Sequence, residues 1–336
     1  MPSTIKDVAR HSGLSIATIS KYINGGHVLD ANRRLIDLAV AELAFKVNGM
    51  ARGLKTSRTM TVGVLIPDLE NIFCTSIVSN VENVLQDNGY STLICDYRQD
   101  PAMEKRKLDF LVDRQIDGLL MMPLGGCAEA LGQLCARRIP VVLIDRPVKG
   151  VSCDTVLVDN LNASYGAVEW LIVQGHRRIG IISGPEDIHT AEERLKGYLR
   201  VHEDYNIAVE EVLIRHGEYT TEGGYRQTLA LLDMKPAPTA IFVTNYEMTL
   251  GAMMGINERN MRMPEELSFI GFDNQAMAQI LKPPLTIVVQ PIRLIGETAA
   301  HTLMRRMKGD MAGFPALFRM KTELLVKDSV GPPPVR

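Results

Sequence analysis

Ser15, Thr18, Ser20 and Lys21 crowd into one short helical pattern. Hydroxyls bond phosphate oxygens and a lysine donates to guanine O6 and N7, so the cluster carries the chemistry of a duplex reader. The surrounding residues 4–24, TIKDVARHSGLSIATISKYIN, supply elements to hold it. Ile5, Val8 and Ala9 fall on one helical face, and Ile16, Ile19 and Ile23 mark another. Ser15 is a good N-cap for the second helix, and Gly13 can take the positive φ of a sharp turn. Such a unit is a helix-turn-helix, whose second helix fits the major groove of B-DNA. An ordinary helical hairpin shares this pattern, so other features must separate the two.

A second set of polar residues is scattered through the chain. Asp68, Asp145, Asp159, Asn245 and Asp273 each follow a short apolar, β-branched run. In open parallel sheets, ligands bind beyond the carboxyl ends of the strands. Taken singly, each could equally be a helix cap or loop residue. Five at corresponding strand ends point to a shared cleft.

The runs themselves predict the architecture. TVGVLI at 61–66 is followed by strand patterns at 90–96, 116–122 and 139–145, with helical patterns between. A second series runs through 155–159, 177–184, 211–216, 239–244 and 267–273. Continuous apolar strands alternating with helices imply parallel sheets covered on both faces. The expected fold is an all-α helix-turn-helix headpiece plus an α/β core of two doubly wound parallel-sheet subdomains. Residues 286–327 are read as one strand, one helix and a final strand, crossing back between the two. A third headpiece helix is expected near 31–45, capped by Asp30, with Leu35, Leu38, Ala39 and Leu43 as its apolar stripe. A short helix at 49–56 is too brief to persist alone in water.

The totals narrow the class. A chain of 336 residues with 46% hydrophobic content and a formal charge of −2 suits two or three globular domains. No apolar run approaches the ~20 residues of a membrane span, and no signal-peptide core opens the chain. Five cysteines without paired spacing argue for thiols rather than a disulfide framework, in a reducing cytoplasm. The charge is uneven: residues 1–60 hold nine Lys/Arg against four Asp/Glu, and the remainder 28 against 35. A basic head on an acidic body is the footprint of a polyanion partner, confined to the head. GxGxxG, Walker, HExxH and GxSxG signatures are absent, as is metal-ligand spacing, so neither an enzyme nor a cofactor is expected.

In order, the chain carries TIKDVARHSGLSIATISKYIN, NGMARGLKT, GVLIPDLENIF, QIDGLL, IPVVLIDR, VDN, GHRRIGIISG, ERLKGY, PTAIFVTN, GFDN and LTIVVQP. On these motifs it resembles the LacI/GalR family of bacterial transcription regulators over nearly its full length. The resemblance implies a headpiece at 1–46, a hinge at 47–60 and an effector-binding, dimerising core at 61–336. Within that core it implies an N-subdomain of about 61–160 with a crossover from about 290–320. The C-subdomain would be about 161–289 with about 321–330.

The resemblance also implies which residues bind. Ile16, Ala17 and Lys21 face base edges, with Thr4, Ser15, Thr18, Ser20 and Asn24 as further DNA contacts. In the hinge, Ala51, Arg52, Leu54 and Lys55 meet the operator centre, Leu54 as a minor-groove wedge. The effector residues are Phe73, Asp159, Thr190, Arg194, Tyr219, Asn245 and Asp273, a set suited to a small polyhydroxyl ligand. The expected partners are a pseudo-palindromic double-stranded operator, a sugar or sugar derivative, and a second copy of the chain. The final VGPPPVR lacks heptads, so a dimer rather than a zippered tetramer is expected, with no membrane partner.

Two departures stand out. Val47 occupies the usual proline position of the hinge, and Tyr246 replaces the aspartate that usually follows the cleft asparagine. His189, beside Thr190, adds a donor able to meet an acid or phosphate group. An alternative keeps DNA binding but replaces the sugar by a phosphoprotein corepressor, as in the catabolite-control branch, with which IATISK and VVQP are shared. A secreted-type solute-binding protein or an enzyme on the same core are the remaining readings.

Overall fold

The computed structural model describes residues 3–23, 26–45, 58–273 and 275–334. It falls into two compact units, Met1–Met60 and Thr61–Arg336.

The first unit contains α1 (Ile5–Ser12), α2 (Ile16–Ile23) and α3 (Asp30–Glu42). Asp7 in the first turn of α1 accepts hydrogen bonds from the Thr4 amide and hydroxyl, at 2.9 and 2.7 Å. Gly13 ends α1 at φ 68°. No atom lies within 4 Å of where its Cβ would sit, so backbone conformation rather than crowding selects glycine there. Val8, Ile19, Ile36 and Ala39 are fully buried and form the centre of a small core. Half of the apolar stripe expected on the third helix, Leu35 and Leu38, is out of phase. Leu35 and Leu38 are 45% and 58% exposed. Ile36 and Val40 pack instead, and with the expected Ala39 and Leu43 they form an i, i+3, i+4, i+7 series that completes one face. Asp30 is the first helical residue and Leu29 holds the cap position.

The second unit has two six-stranded sheets. The first comprises β1 (Thr61–Ile66), β2 (Ser91–Asp96), β3 (Gly118–Met121), β4 (Val141–Ile144), β5 (Asp154–Val158) and β11 (Leu317–Met320), ordered β11-β5-β4-β3-β1-β2. Its pairings are all parallel. The second comprises β6 (Ile179–Ser183), β7 (Ile214–His216), β8 (Ala240–Val243), β9 (Ser268–Phe272), β10 (Thr286–Val289) and β12 (Glu323–Leu325), ordered β12-β10-β9-β8-β6-β7. Only β12 runs antiparallel to its neighbour. The central strands β3, β4, β5, β6, β8 and β9 are buried along their whole length, as expected for sheets covered on both faces.

Helices that position site residues are α4 (Ile72–Asp87), α5 (Pro101–Asp113), α6 (Ala128–Ala136), α7 (Asn160–Val173), α8 (His189–Asp204), α9 (Thr221–Leu232) and α10 (Tyr246–Glu258). They are followed by α11 (Gln275–Ile280) and α12 (Ile292–Met307). The single last strand expected from sequence is two strands. Lys321 and Thr322 break the run, so β11 extends the first sheet and β12 the second. The chain therefore passes between the sheets after β5, after β10 and after β11. Helix α12 packs against α4 and over β3, β4 and β5. Its Arg306 is anchored by a two-pronged bond to Asp154, Nε to Oδ2 at 2.8 Å and Nη2 to Oδ1 at 2.9 Å. Among the described residues no helix is long and apolar enough to cross a membrane.

Candidate nucleic-acid interface and ligand cavity

The Ser15 hydroxyl accepts the Thr18 amide at 3.1 Å, the cap expected for α2. With Ile19 turned into the core, the opposite face presents Ile16, Ala17 and Lys21, all exposed. Ile16 therefore does not share the buried face of Ile19 and Ile23, contrary to the apolar pattern; it is 46% exposed. The helix, IATISKYI, carries no acidic residue. Thr18 and Ser20 are half-buried, and Thr4 is exposed beside the N-terminus of α1. An exposed lysine flanked by short apolar side chains on an acid-free helix has groups for a guanine edge and a thymine methyl. Asn24, Ala51, Arg52, Leu54 and Lys55 lie outside the described residues.

In the second unit, a cavity of about 410 Å³ opens where the strand ends of the two sheets meet. Six of the seven effector candidates line it: Phe73, Thr190, Arg194, Tyr219, Asn245 and Asp273. Asp159 does not. Its carboxylate caps α7, accepting the Asn162 side-chain amide at 2.7 Å and backbone amide at 3.4 Å. The next residue, Asn160, does not line the cavity either but holds a residue that does, accepting from Arg194 Nε at 2.8 Å. Of the five strand-end residues noted in the sequence, Asp68, Asp145, Asn245 and Asp273 reach the cavity. His189 is not among the lining residues, whereas Tyr246 is.

Each lining group is held. Arg194 is 4% exposed. It donates to the Thr244 carbonyl at 2.5 Å and stacks 4.0 Å above the Phe272 ring. Such stacking suits a planar, weakly hydrated guanidinium. Asp273 adopts φ 62° and is 7% exposed. Burial pushes its carboxyl up to about 6, with nearby Asp145 adding to the rise. Arg194 and the Gln290 hydrogen bond oppose it. Gln290 Nε2 donates to Asp273 Oδ1 at 2.8 Å. Opposite, Arg146 Nε meets Asp145 Oδ2 at 3.2 Å, with only 8% and 11% of the two side chains exposed. Burial works against the Arg146 charge, but Asp145, Tyr97, Tyr219 and Cys74 outweigh it and hold the guanidinium above its ordinary value. Thr190 Oγ1 lies 3.1 Å from the Tyr219 hydroxyl. A Cβ on Gly184 would sit 2.3 Å from the Tyr219 ring, so only glycine lets that ring lie there. Asn245 caps α10 through the Met248 amide at 2.9 Å.

Two buried atoms at this cavity have no hydrogen-bond partner, Arg146 Nη1 and Gln290 Oε1. One is a donor and the other an acceptor, and orphaned buried polar atoms are costly. A hydroxyl-bearing ligand answers both. Five lining residues, Gln99, Asp145, Glu218, Tyr219 and Asp273, hold positive φ without being glycine. Such backbone collects at binding sites.

Arg146 and Gln290 were missed from the sequence. Both follow strands, β4 and β10, and that was the available signal. The two sheets match rank for rank, so Asp145 after β4 corresponds to Asp273 after β9, and Asp159 after β5 to Gln290 after β10. Of the latter pair only Gln290 lines the cavity. Pro291 takes the cap position of α12, so Gln290 lies one residue outside it and its side-chain amide bonds Asp273 instead.

A helix-turn-helix unit preceding a two-lobed core with a polar cavity between its sheets defines a ligand-responsive DNA-binding protein. The family model "Bacterial regulatory proteins, lacI family" matches residues 4–48, and "Periplasmic binding protein-like domain" matches 168–330. The chain is 33% identical over 332 residues to the HTH-type transcriptional repressor CytR of Escherichia coli K12, covering 97% of this chain and 96% of that protein. It superposes on the lac repressor dimer bound to operator and the anti-inducer ONPF with a TM-score of 0.89 at 25% identity, covering 98% and 100% of the two chains. A LacI family regulator from Enterococcus faecium with bound ribose aligns at TM-score 0.74 and 27% identity, covering 81% and 99%. The chain belongs to the LacI family of bacterial transcription regulators.

Proposed function

We propose that this protein is a homodimeric, sequence-specific repressor whose operator affinity is set by a small sugar or sugar derivative in the core cavity. Two headpieces read the halves of a pseudo-palindrome through Ile16, Ala17 and Lys21, and residues 47–60, with Leu54, act at its centre. The core, with an N-subdomain of about 61–160 plus 290–320, passes the effector signal by reorienting its lobes. It acts in the cytoplasm, without a cofactor and without turning the ligand over.

The observation that carries the effector half is the buried quartet Asp145, Arg146, Arg194 and Asp273, flanked by the unpartnered Arg146 Nη1 and Gln290 Oε1. Carboxylate and guanidinium groups form paired bonds to adjacent hydroxyls, and Phe73 and Tyr219 supply apolar cover for a ring. Linkage makes the coupling reciprocal: a sugar that weakens operator binding is itself weakened by operator to the same factor. The test is selection from random duplex DNA, followed by titration of the selected duplex with and without neutral sugars. A palindromic consensus and a sugar-dependent Kd are expected. Equal affinity for all sequences, whatever sugar is added, would remove the proposal.

A further inference from the structure

The formal charge of the cavity is lopsided. Among the described residues its lining holds six carboxylates against two guanidiniums, and neither lysine nor histidine. Arg146 is ion-paired with Asp145, while Arg194 donates to Asn160 and the Thr244 carbonyl and lies near enough to Asp273 to favour its ionised form. That leaves Asp68, Glu70, Glu218 and Glu247 without a lining cation of their own. All four lie toward the solvent: Glu70 and Glu218 are exposed and Asp68 and Glu247 half-buried. The deep quartet is thus neutral in sum, and the rim is acidic.

Helix N-termini would ordinarily offset such a rim, because α4, α9 and α10 all begin at the cavity and helix starts attract anions. Here each cap side chain takes one first-turn amide, and α9 and α10 each carry a first-turn glutamate, Glu222 and Glu247. Asn71 accepts the Cys74 amide, Thr220 the Gly223 amide and Asn245 the Met248 amide. Asp68 accepts the Glu70 amide at 2.8 Å, and Glu247 accepts the Thr221 hydroxyl at 3.0 Å. Glu218 lies 3.8 Å from Arg226, which is not a lining residue.

From this arrangement, and resting on the effector reading above, we infer that the cavity selects an uncharged polyhydroxyl ligand and rejects the phosphorylated form of the same molecule. The rim carboxylates Asp68, Glu70, Glu218 and Glu247 are the determinants. The sugar ring fills the deep quartet, where its hydroxyls serve Arg146 Nη1 and Gln290 Oε1. A phosphoryl group on such a ring projects outward, because the ring itself fills the deep quartet and its hydroxyls occupy Arg146 Nη1. There it meets the like charge of the rim carboxylates, with no rim cation among the described lining residues to offset it. The sensor therefore reports a sugar before it is phosphorylated. In a reaction sequence its signal is the substrate of a kinase rather than the product, and phosphorylation ends the signal.

The test uses the full-length dimer and pairs of probes: ribose, glucose and a ribonucleoside, each beside its monophosphate. Affinity is read by calorimetry and by the shift in thermal midpoint at low ionic strength. At least one neutral member should bind, with its monophosphate about tenfold weaker or worse, and added salt should narrow the gap through screening. A variant carrying Asp68→Asn, Glu70→Gln, Glu218→Gln and Glu247→Gln keeps every hydrogen-bond acceptor just described but removes the charge. In it the monophosphate should gain at least severalfold relative to its neutral partner. A monophosphate that binds the native protein as well as its neutral partner overturns the inference. An undiminished gap in the quadruple variant overturns the assignment to these residues. If no neutral member binds, the polyhydroxyl cavity falls with it, whereas operator binding by the same preparation shows that the DNA-reading half stands.

Discussion

The proposed reading face of α2 and the core cavity use similar polar chemistry but are built in opposite ways. The first draws Ile16, Ala17 and Lys21 from one stretch of exposed helix. The second gathers residues from Asp68 to Gln290, and its central charges are almost wholly buried. An exposed reading face can change without much effect on stability, since surface substitutions usually shift it by under about 0.5 kcal/mol. A buried binding site cannot, because each charge there is held by partners that the fold must also satisfy.

Substitutions at the two regions sharpen this contrast. The largest effect is expected from Arg194→Met, which strips Asp273 of its neighbouring cation and leaves Asn160 and the Thr244 carbonyl without their donor. Loss of one partner of a buried charge pair costs roughly 3–5 kcal/mol. Calorimetry should show a lower midpoint for the core and no effector response, with base preference at each operator position unchanged. A wild-type midpoint would mean that the site is less tightly coupled to the fold than its burial implies.

Asp273→Asn is the next test, and its two effects run in opposite directions. It should abolish the effector response yet stabilise the effector-free core at neutral pH. The native carboxyl titrates near 6 rather than 3.8, so the folded state holds its proton more tightly than the unfolded chain. Stability from this group is therefore full below about pH 4 and is lost as pH rises through about 6. The ionised form costs about 3 kcal/mol at pH 7. Denaturation curves of the two proteins should differ at pH 7 and converge near pH 4; a constant difference would show that burial does not govern Asp273. Effector hydroxyls donate to the ionised form, so native affinity should rise with pH through the same window.

Lys21→Ala, on the exposed side of the comparison, should leave thermal stability alone and cost about 1–3 kcal/mol of operator binding at one base position per half-site. Uniform weakening on every duplex would make Lys21 a phosphate contact only. The smallest effect is expected from Thr190→Val, which removes the partner of the Tyr219 hydroxyl. Effector affinity should fall by about 1 kcal/mol, with a normal midpoint. No change on titration would mean that Tyr219 is positioned by the space at Gly184 alone.

The headpiece was legible because its rules are local. The Ser15 cap and the Gly13 turn operate within a few residues, and both are present as expected. Even there half of the α3 stripe was misread: Ala39 and Leu43 pack as expected, but Leu35 and Leu38 were chosen over Ile36 and Val40, which complete the packed face. In the core, apolar runs marked nearly every strand. The division of the last segment into β11 and β12 depended on which sheet offered an open edge, and no local pattern encodes that.

Composition, periodicity and motif order were enough to determine the class of this protein, its head-and-core plan, and the polar residues at its strand ends. Those properties follow from which residues attract water and how often they recur along the chain. Tertiary structure alone decided that Asp159 caps a helix while Gln290, its counterpart, reaches the cavity. It alone decided that Arg146 faces the cavity with an unpartnered donor beneath an acidic rim. Both outcomes depend on groups far apart in sequence competing for the same few hydrogen bonds. That competition is settled only once the two sheets are side by side.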